Sequence, residues 1–193
     1  MNDPISNIYQ QMILNESVTL PTKIKKLLDK AIKGTYSFDE NGFCNVEGDV
    51  YLVNKKLNKL PVNFGIVSGT FNCSFNQLTA LEGSPREVGR LFMCNDNPLN
   101  SLVGGPEKVK IDYCCSNCTN LTSLEGAPEE VEGNFYCSYI LFLPYKELFK
   151  IVDHVKGKIF YSSILTPEDK DAIRRKRDIH MNLQHDELGN LDI

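Results

Sequence analysis

FNCSFNQLTALEGSPREV (71–88), FMCNDNPLNSLVGGPEKV (92–109) and YCCSNCTNLTSLEGAPEEV (113–131) match one another position by position, the third carrying one extra residue. Working outward from them, valines recur at 46, 67, 88, 109 and 131. An aromatic or β-branched residue recurs at Val50, Phe71, Phe92, Tyr113 and Phe135, followed two places on by Leu52, Cys73, Cys94, Cys115 and Cys137. Leucines follow at 57, 78, 99 and 121, and at 60, 81, 102 and 124. Gly83, Gly104 and Gly126 precede Pro85, Pro106 and Pro128. A fixed step of 21 residues, lengthened once to 22, marks a repeat array.

Each unit reads as one rung. Phe92-Met93-Cys94 alternates inward and outward like a short strand. Leu99 and Leu102 follow a turn and point back at the same core, and the Gly-x-Pro element sends the chain to the next rung. One rung cannot bury its apolar face alone, so the units must stack and the ends need caps. The expected architecture is an α/β repeat solenoid with a parallel β ladder, capped by helices at both ends. Its segments are an N-terminal helical and hairpin cap (1–45), the repeat array (46–143), a C-terminal helix-strand-helix cap (144–179) and a flexible tail (180–193).

The caps have their own signals. Residues 21–33 carry Ile24, Leu27, Leu28 and Ile32 at helical spacing, with Pro21 at the start and Gly34 as a stop. Residues 4–15 have a similar apolar side. Residues 36–46 read as a hairpin around Asn41-Gly42. Residues 144–155 predict a helix with Leu148, Ile151, Val152 and Val155 inward. Residues 155–163 repeat the strand signature with Ile159 and Tyr161 in core positions. Thr166 and Pro167 open a further predicted helix over 166–179.

The motif L-T-x-L-E-G-x-P-x-x-V-x-G-x-F-x-C-S-x-N resembles a leucine-rich repeat of the short bacterial type. More narrowly, it is similar to leucine-rich-repeat-like proteins of tailed bacteriophages. The resemblance covers about residues 35–161 and is most specific over 67–138. It implies that the asparagine after each strand bonds to backbone groups of neighbouring turns, a place matched by Asn76 and Asn97. The third unit departs from it with Asn117-Cys118-Thr119-Asn120, and the first with Asn54-Lys55.

Composition narrows the chemistry. The 193 residues are 41% hydrophobic and 24% charged, with a net charge of −4, against the usual basic balance of a nucleic-acid coat. Apolar runs stay short of the roughly 18 residues that a membrane helix needs. The opening MNDPISNIYQQ lacks the pattern of a secretory signal, so a cytoplasmic protein is expected. Catalytic histidine chemistry has three residues to draw on, His154, His180 and His185. Cys114, Cys115 and Cys118 have the spacing of a zinc knuckle, but Cys73, Cys94, Cys115 and Cys137 share one repeat position and should form a row of buried thiols. No metal or cofactor is expected, and no enzymatic motif stands out. Arg174-Arg175-Lys176-Arg177, flanked by Glu168, Asp169, Asp171 and Asp178, reads as a solvated helix face.

What remains is the outward side of the strands. Alternation puts Tyr51, Asn72, Met93, Cys114 and Tyr136 in one column, flanked by Asp112 and Asn134, with Phe75, Asp96 and Tyr139 at the strand exits. Exposed Tyr and Met suit an interface core. The expectation is a non-catalytic protein-binding module. The phage resemblance implies that it binds a bacterial host protein, for instance one of a defence system, and inhibits or redirects it by occlusion. The alternatives are nucleic-acid or nucleotide binding through the basic C-terminal helix, and a virion or assembly role through self-association.

Overall fold

The computed structural model describes residues 20–140 and 142–161, together with residues 168, 171, 184–185 and 191–192. A helix, α1 (Thr22–Ala31), leads directly into a hairpin of β1 (Ile32–Phe38) and β2 (Cys44–Tyr51). Asp39 shapes the hairpin turn, its Oδ1 accepting the amides of Asn41 and Phe43. Beyond it the chain winds as a parallel β-solenoid of about six coils.

Two ladders run along the solenoid. The valine ladder comprises β2, β3 (Phe64–Val67), β5 (Glu87–Val88), β7 (Lys108–Val109) and β9 (Glu130–Val131). Its register places Val46, Val67, Val88, Val109 and Val131 over one another, and a parallel bridge adds Val155. The aromatic ladder comprises β2, β4 (Phe71–Asn72), β6 (Phe92–Met93), β8 (Tyr113–Cys114), β10 (Phe135–Cys137) and β11 (Ile159–Tyr161). Phe71, Phe92, Tyr113 and Phe135 are fully buried and stack at centroid separations of 5.7, 5.0 and 4.8 Å. The last two are close to the strand spacing of about 4.8 Å, so each rung contributes one ring to the stack.

The remaining core follows the repeat. Leu78, Leu81, Leu99, Leu102, Leu121 and Leu124 are buried, as are Cys73, Cys94, Cys115 and Cys137. Asn76 and Asn97 are buried as well and brace the turns. Asn97 Nδ2 donates to the carbonyls of Cys73, Cys94 and Asn95, while its Oδ1 accepts the Leu78 amide from the coil before. At the next rung Cys118 takes that place, and its thiol donates to Cys94 O at 3.5 Å.

The ends differ from the expected caps. The helix stops at Ala31 rather than near Gly34, because Ile32 is already extended (φ −89°, ψ 129°) and paired with Val50. Strand pairing along all of β1 outweighs another helical turn. Gly34 lies inside β1 opposite Gly48, both with positive φ (146° and 130°). At the other end, the helix expected over 144–155 is a short 3-10 helix, Tyr145–Lys150, followed by turns. Its inward residues are as expected: Leu148, Ile151, Val152 and Val155 are buried. The chain unwinds because its backbone is needed by the ladder. Val131 N–H donates to His154 O, and Lys156 N–H donates to Val131 O. An α-helix through Val155 would withdraw those groups.

In the expected tail, β12 (Gln184–His185) and β13 (Leu191–Asp192) extend the aromatic ladder, β13 pairing antiparallel with β11. The helices expected over 4–15 and 166–179, with Arg174–Arg177, lie outside the described residues.

Candidate docking face

The outward column of the aromatic ladder is in register from coil to coil. Tyr51 faces Asn72, Asn72 faces Met93, Met93 faces Cys114, and Cys114 faces Tyr136. The column continues to Phe160, whose ring stacks on Tyr136 at 4.5 Å and 8°. Within residues 155–163 the inward pair is Ile159 and Tyr161, as expected from the repeat. The same alternation places Phe160 between them, facing out. Tyr51 is 41% exposed and the others are half-buried. Asn72 Nδ2 donates to Met93 Sδ at 3.4 Å, a weak acceptor.

Asp112 and Asn134, expected on the flank of this face, hold the coils together. Asp112 Oδ1 accepts the Asn134 amide at 2.7 Å, and Asn134 Oδ1 accepts the Lys158 amide at 2.8 Å. Asp49 does the same for Thr70 three coils earlier. Each clamp needs a glycine above it, since a Cβ at Gly69, Gly133 or Gly157 would run into the clamping oxygen. Where the next coil carries Arg90 or Ile111 instead, the residue below is Thr70 or Leu91. The carboxylate and amide at these places are therefore accounted for by the fold itself.

The strand exits form a row of a different kind. Asn54, Phe75, Asp96, Asn117 and Tyr139 all have left-handed backbone, with φ between 52° and 60°. The ladder imposes it. Phe75 N–H still donates to Asn95 O, and Asp96 N–H to Ser116 O, before the chain turns inward to Asn76 and Asn97. Asparagine and aspartate tolerate this region, whereas bulky residues there are outliers. Phe75 and Tyr139 are also 57% and 53% exposed. Neither backbone preference nor burial accounts for an aromatic ring at either place.

The outward side of the valine ladder contrasts with this. Its register aligns Ile66, Glu87, Lys108 and Glu130, and Glu130 pairs with Lys156 at 2.7 Å. Alternating charges of this kind form a well-solvated surface. Near its N-terminal end a groove of about 530 Å³ is lined by Phe43, Phe64, Ile66, Arg86 and Glu107 among others.

The thiols are all free. Burial pushes Cys73, Cys94, Cys115 and Cys137 far above the ordinary thiol range. Cys44 rises to about 12 through burial. Cys114, on the docking column, also rises to about 12 through burial, with the Asp112 charge adding to it. Thiols held this way are poor nucleophiles and poor metal ligands. Among the described residues no group of three or more His, Cys, Asp or Glu is placed to hold a metal ion. His154 Nδ1 lies 3.2 Å from Pro128 O, a contact between coils. Among the described residues no helix is long and apolar enough to cross a membrane. In comparisons with known proteins, the chain matches no family model, no curated protein and no solved structure.

Proposed function

We propose that this solenoid is a non-catalytic binding module and that the outward side of its aromatic ladder docks another protein. The observation that carries the reading is the pair Phe75 and Tyr139: two exposed rings held in left-handed backbone, where Asn serves in the first and fourth coils. A cost of order 1–3 kcal/mol per strained residue is more readily retained where the residue has a task. The adjoining column from Tyr51 to Phe160 contains no charged residue, while the opposite ladder carries alternating charges. A rigid repeat surface loses little conformational freedom on docking, so moderate contacts suffice for binding.

The finer reading rests on the repeat motif. We take the array as a leucine-rich-repeat protein of the bacteriophage type, acting in the infected bacterial cytoplasm. Its partner is then a bacterial host protein, blocked or redirected by occlusion of the surface that meets the strand face. The test is capture from bacterial lysate with the full chain and with a Tyr51→Asp, Met93→Asp, Tyr136→Asp variant of unchanged circular dichroism. Loss of a stoichiometric partner in the variant is the expected result. Equal capture by both proteins removes the strand face as the docking surface.

A further inference from the structure

We propose that the groove at the N-terminal end of the valine ladder is a second binding site, and that it takes a short extended peptide with a basic residue toward each end and an apolar one between. Its volume of about 530 Å³ is that of a ligand site. It crosses four successive strands, lined by Phe43 before β2, Gly65 within β3, Ser84 before β5 and Gly105 before β7. The register puts Phe43, Asn63, Ser84, Gly105 and Ala127 at one repeat position. The smaller residues leave a trench, and Phe43, 42% exposed, stands at its hairpin end. Neither the repeat nor the core requires an aromatic ring there. Ile66, 44% exposed, is likewise the one apolar residue in a column that continues as Glu87, Lys108 and Glu130. The floor is kept bare by the fold, since a Cβ at Gly65 would strike Asn45 Oδ1 and one at Gly105 the Leu102 carbonyl.

Charge decides what the groove holds. Three charged residues line it, Asp39, Arg86 and Glu107. Arg86 is occupied by Glu87 at 3.4 Å. The Asp39 carboxylate accepts from neutral donors, the Asn41 and Phe43 amides and Asn45 Nδ2, and among the described residues neither it nor Glu107 makes an ion pair. Lys108 and Lys110 line the adjoining groove, together with Glu87. The groove is therefore acidic at both ends, with Asp39 near Phe43 at one and Glu107 near Gly105 at the other, and apolar at Ile66 between them. A guanidinium can stack on the Phe43 ring while its edge meets a carboxylate, which suits arginine at the hairpin end. The span is three strand spacings, about 14 Å at about 4.8 Å each, and four steps of extended chain at about 3.4 Å cover nearly the same length. Alternate side chains of such a segment face one way, so its first, third and fifth residues meet Asp39, Ile66 and Glu107. Two shallower grooves adjoin this one at Ile66, so the depression continues past the reach of a single side chain and gives a peptide its way in and out.

The experiment titrates the full chain at low salt with two capped pentapeptides, Arg-Gly-Ile-Gly-Arg and Glu-Gly-Ile-Gly-Glu, followed by heteronuclear NMR. The arginine peptide is expected to bind, to shift the amides of Gly65, Ile66 and Gly105, and to lose affinity as salt is raised, whereas the glutamate peptide is not expected to bind. Glu107→Gln should weaken the arginine peptide about threefold, as an exposed charge pair does. Phe43→Asn, which installs the residue of the next coil, should weaken it by a similar factor. Arg86→Gln removes the competing cation and should tighten binding about twofold. If Phe43→Asn folds poorly, Glu107→Gln and the shifts on the unaltered chain decide. Absence of arginine-peptide binding, equal binding of both peptides, or binding indifferent to Glu107→Gln overturns the proposal. Shifts confined to the column from Tyr51 to Tyr136 overturn it as well. The triple aspartate variant should bind the arginine peptide like the unaltered chain, so this site and the docking reading stand or fall separately.

Discussion

Replacing Phe75 by Asn should leave stability nearly unchanged and weaken docking. The ring is 57% exposed, so about two-fifths of it is covered. At roughly 3 kcal/mol for a fully buried Phe side chain, its removal costs about 1 kcal/mol. Against that stands the backbone at φ 58°. Left-handed conformation costs most residues roughly 1–2 kcal/mol, and Asn much less. The two terms nearly cancel, so thermal unfolding should shift by no more than about 3 °C. Phe75→Ala separates them, because it removes the ring and keeps the strain. It should be about 1 kcal/mol less stable than Phe75→Asn. Phe71→Ala, the buried neighbour one coil-face away, should lose about 3–5 kcal/mol. The assay is thermal and urea unfolding of the four proteins, followed by partner capture. Equal stability of the Ala and Asn variants refutes the backbone argument. A loss in Phe75→Asn approaching that of Phe71→Ala would make the ring a core element and remove its support for docking.

Further outcomes follow from the ladders and the ends. Asn97→Leu, which removes the acceptor of the buried Leu78 amide, should cost about 2–3 kcal/mol by urea unfolding. Cys118→Asn, placing the bracing residue at a rung that lacks it, should gain about 1 kcal/mol, and a loss would mean that the extra residue in that coil has moved the site. Gly34→Ala places a Cβ against the Glu47 carbonyl at φ 146° and should cost about 3 kcal/mol. With Cys44 and Cys114 at about 12, iodoacetamide at mildly alkaline pH should label these two thiols in native protein about a thousandfold more slowly than in urea-unfolded protein. For Glu147, burial pushes the pKa up, but bonds from Lys150, the Leu124 amide and Ser123 outweigh it and hold the carboxyl below its usual value. A depressed carboxylate contributes stability above its unfolded pKa that is lost as pH falls through the folded one. Glu147→Gln should therefore flatten the acid limb of the stability profile, read as the difference in unfolding temperature between neutral and acidic buffer.

How much of this was legible beforehand differs from element to element. The outward column was readable because a strand has a two-residue period and the repeat a constant step, so a face can be assigned without coordinates. Phe160 escaped because the sixth coil keeps the inward pattern but loses the Leu-x-x-Leu and Gly-x-Pro landmarks that align the others. Asp112 and Asn134 looked like contact residues. Their clamping role depends on a glycine in the next coil lying directly above, a relation between positions 21–24 residues apart.

From the sequence alone came the repeat, its register, and the buried valine, aromatic, leucine and thiol rows. These follow from periodicity, because identical units stacked at one spacing must superpose equivalent side chains. The bracing by Asn76 and Asn97 was implied by the resemblance of the repeat motif instead. Tertiary structure decided where that periodicity gives way. It turned Ile32 from helix to strand through pairing with Val50, and unwound the segment after Leu148 so that His154 and Val155 could meet Val131. It also set Phe75 and Tyr139 in left-handed backbone. The reason is the same in each case: a backbone group takes the partner that the neighbouring coil offers, and local sequence does not encode which partner that is.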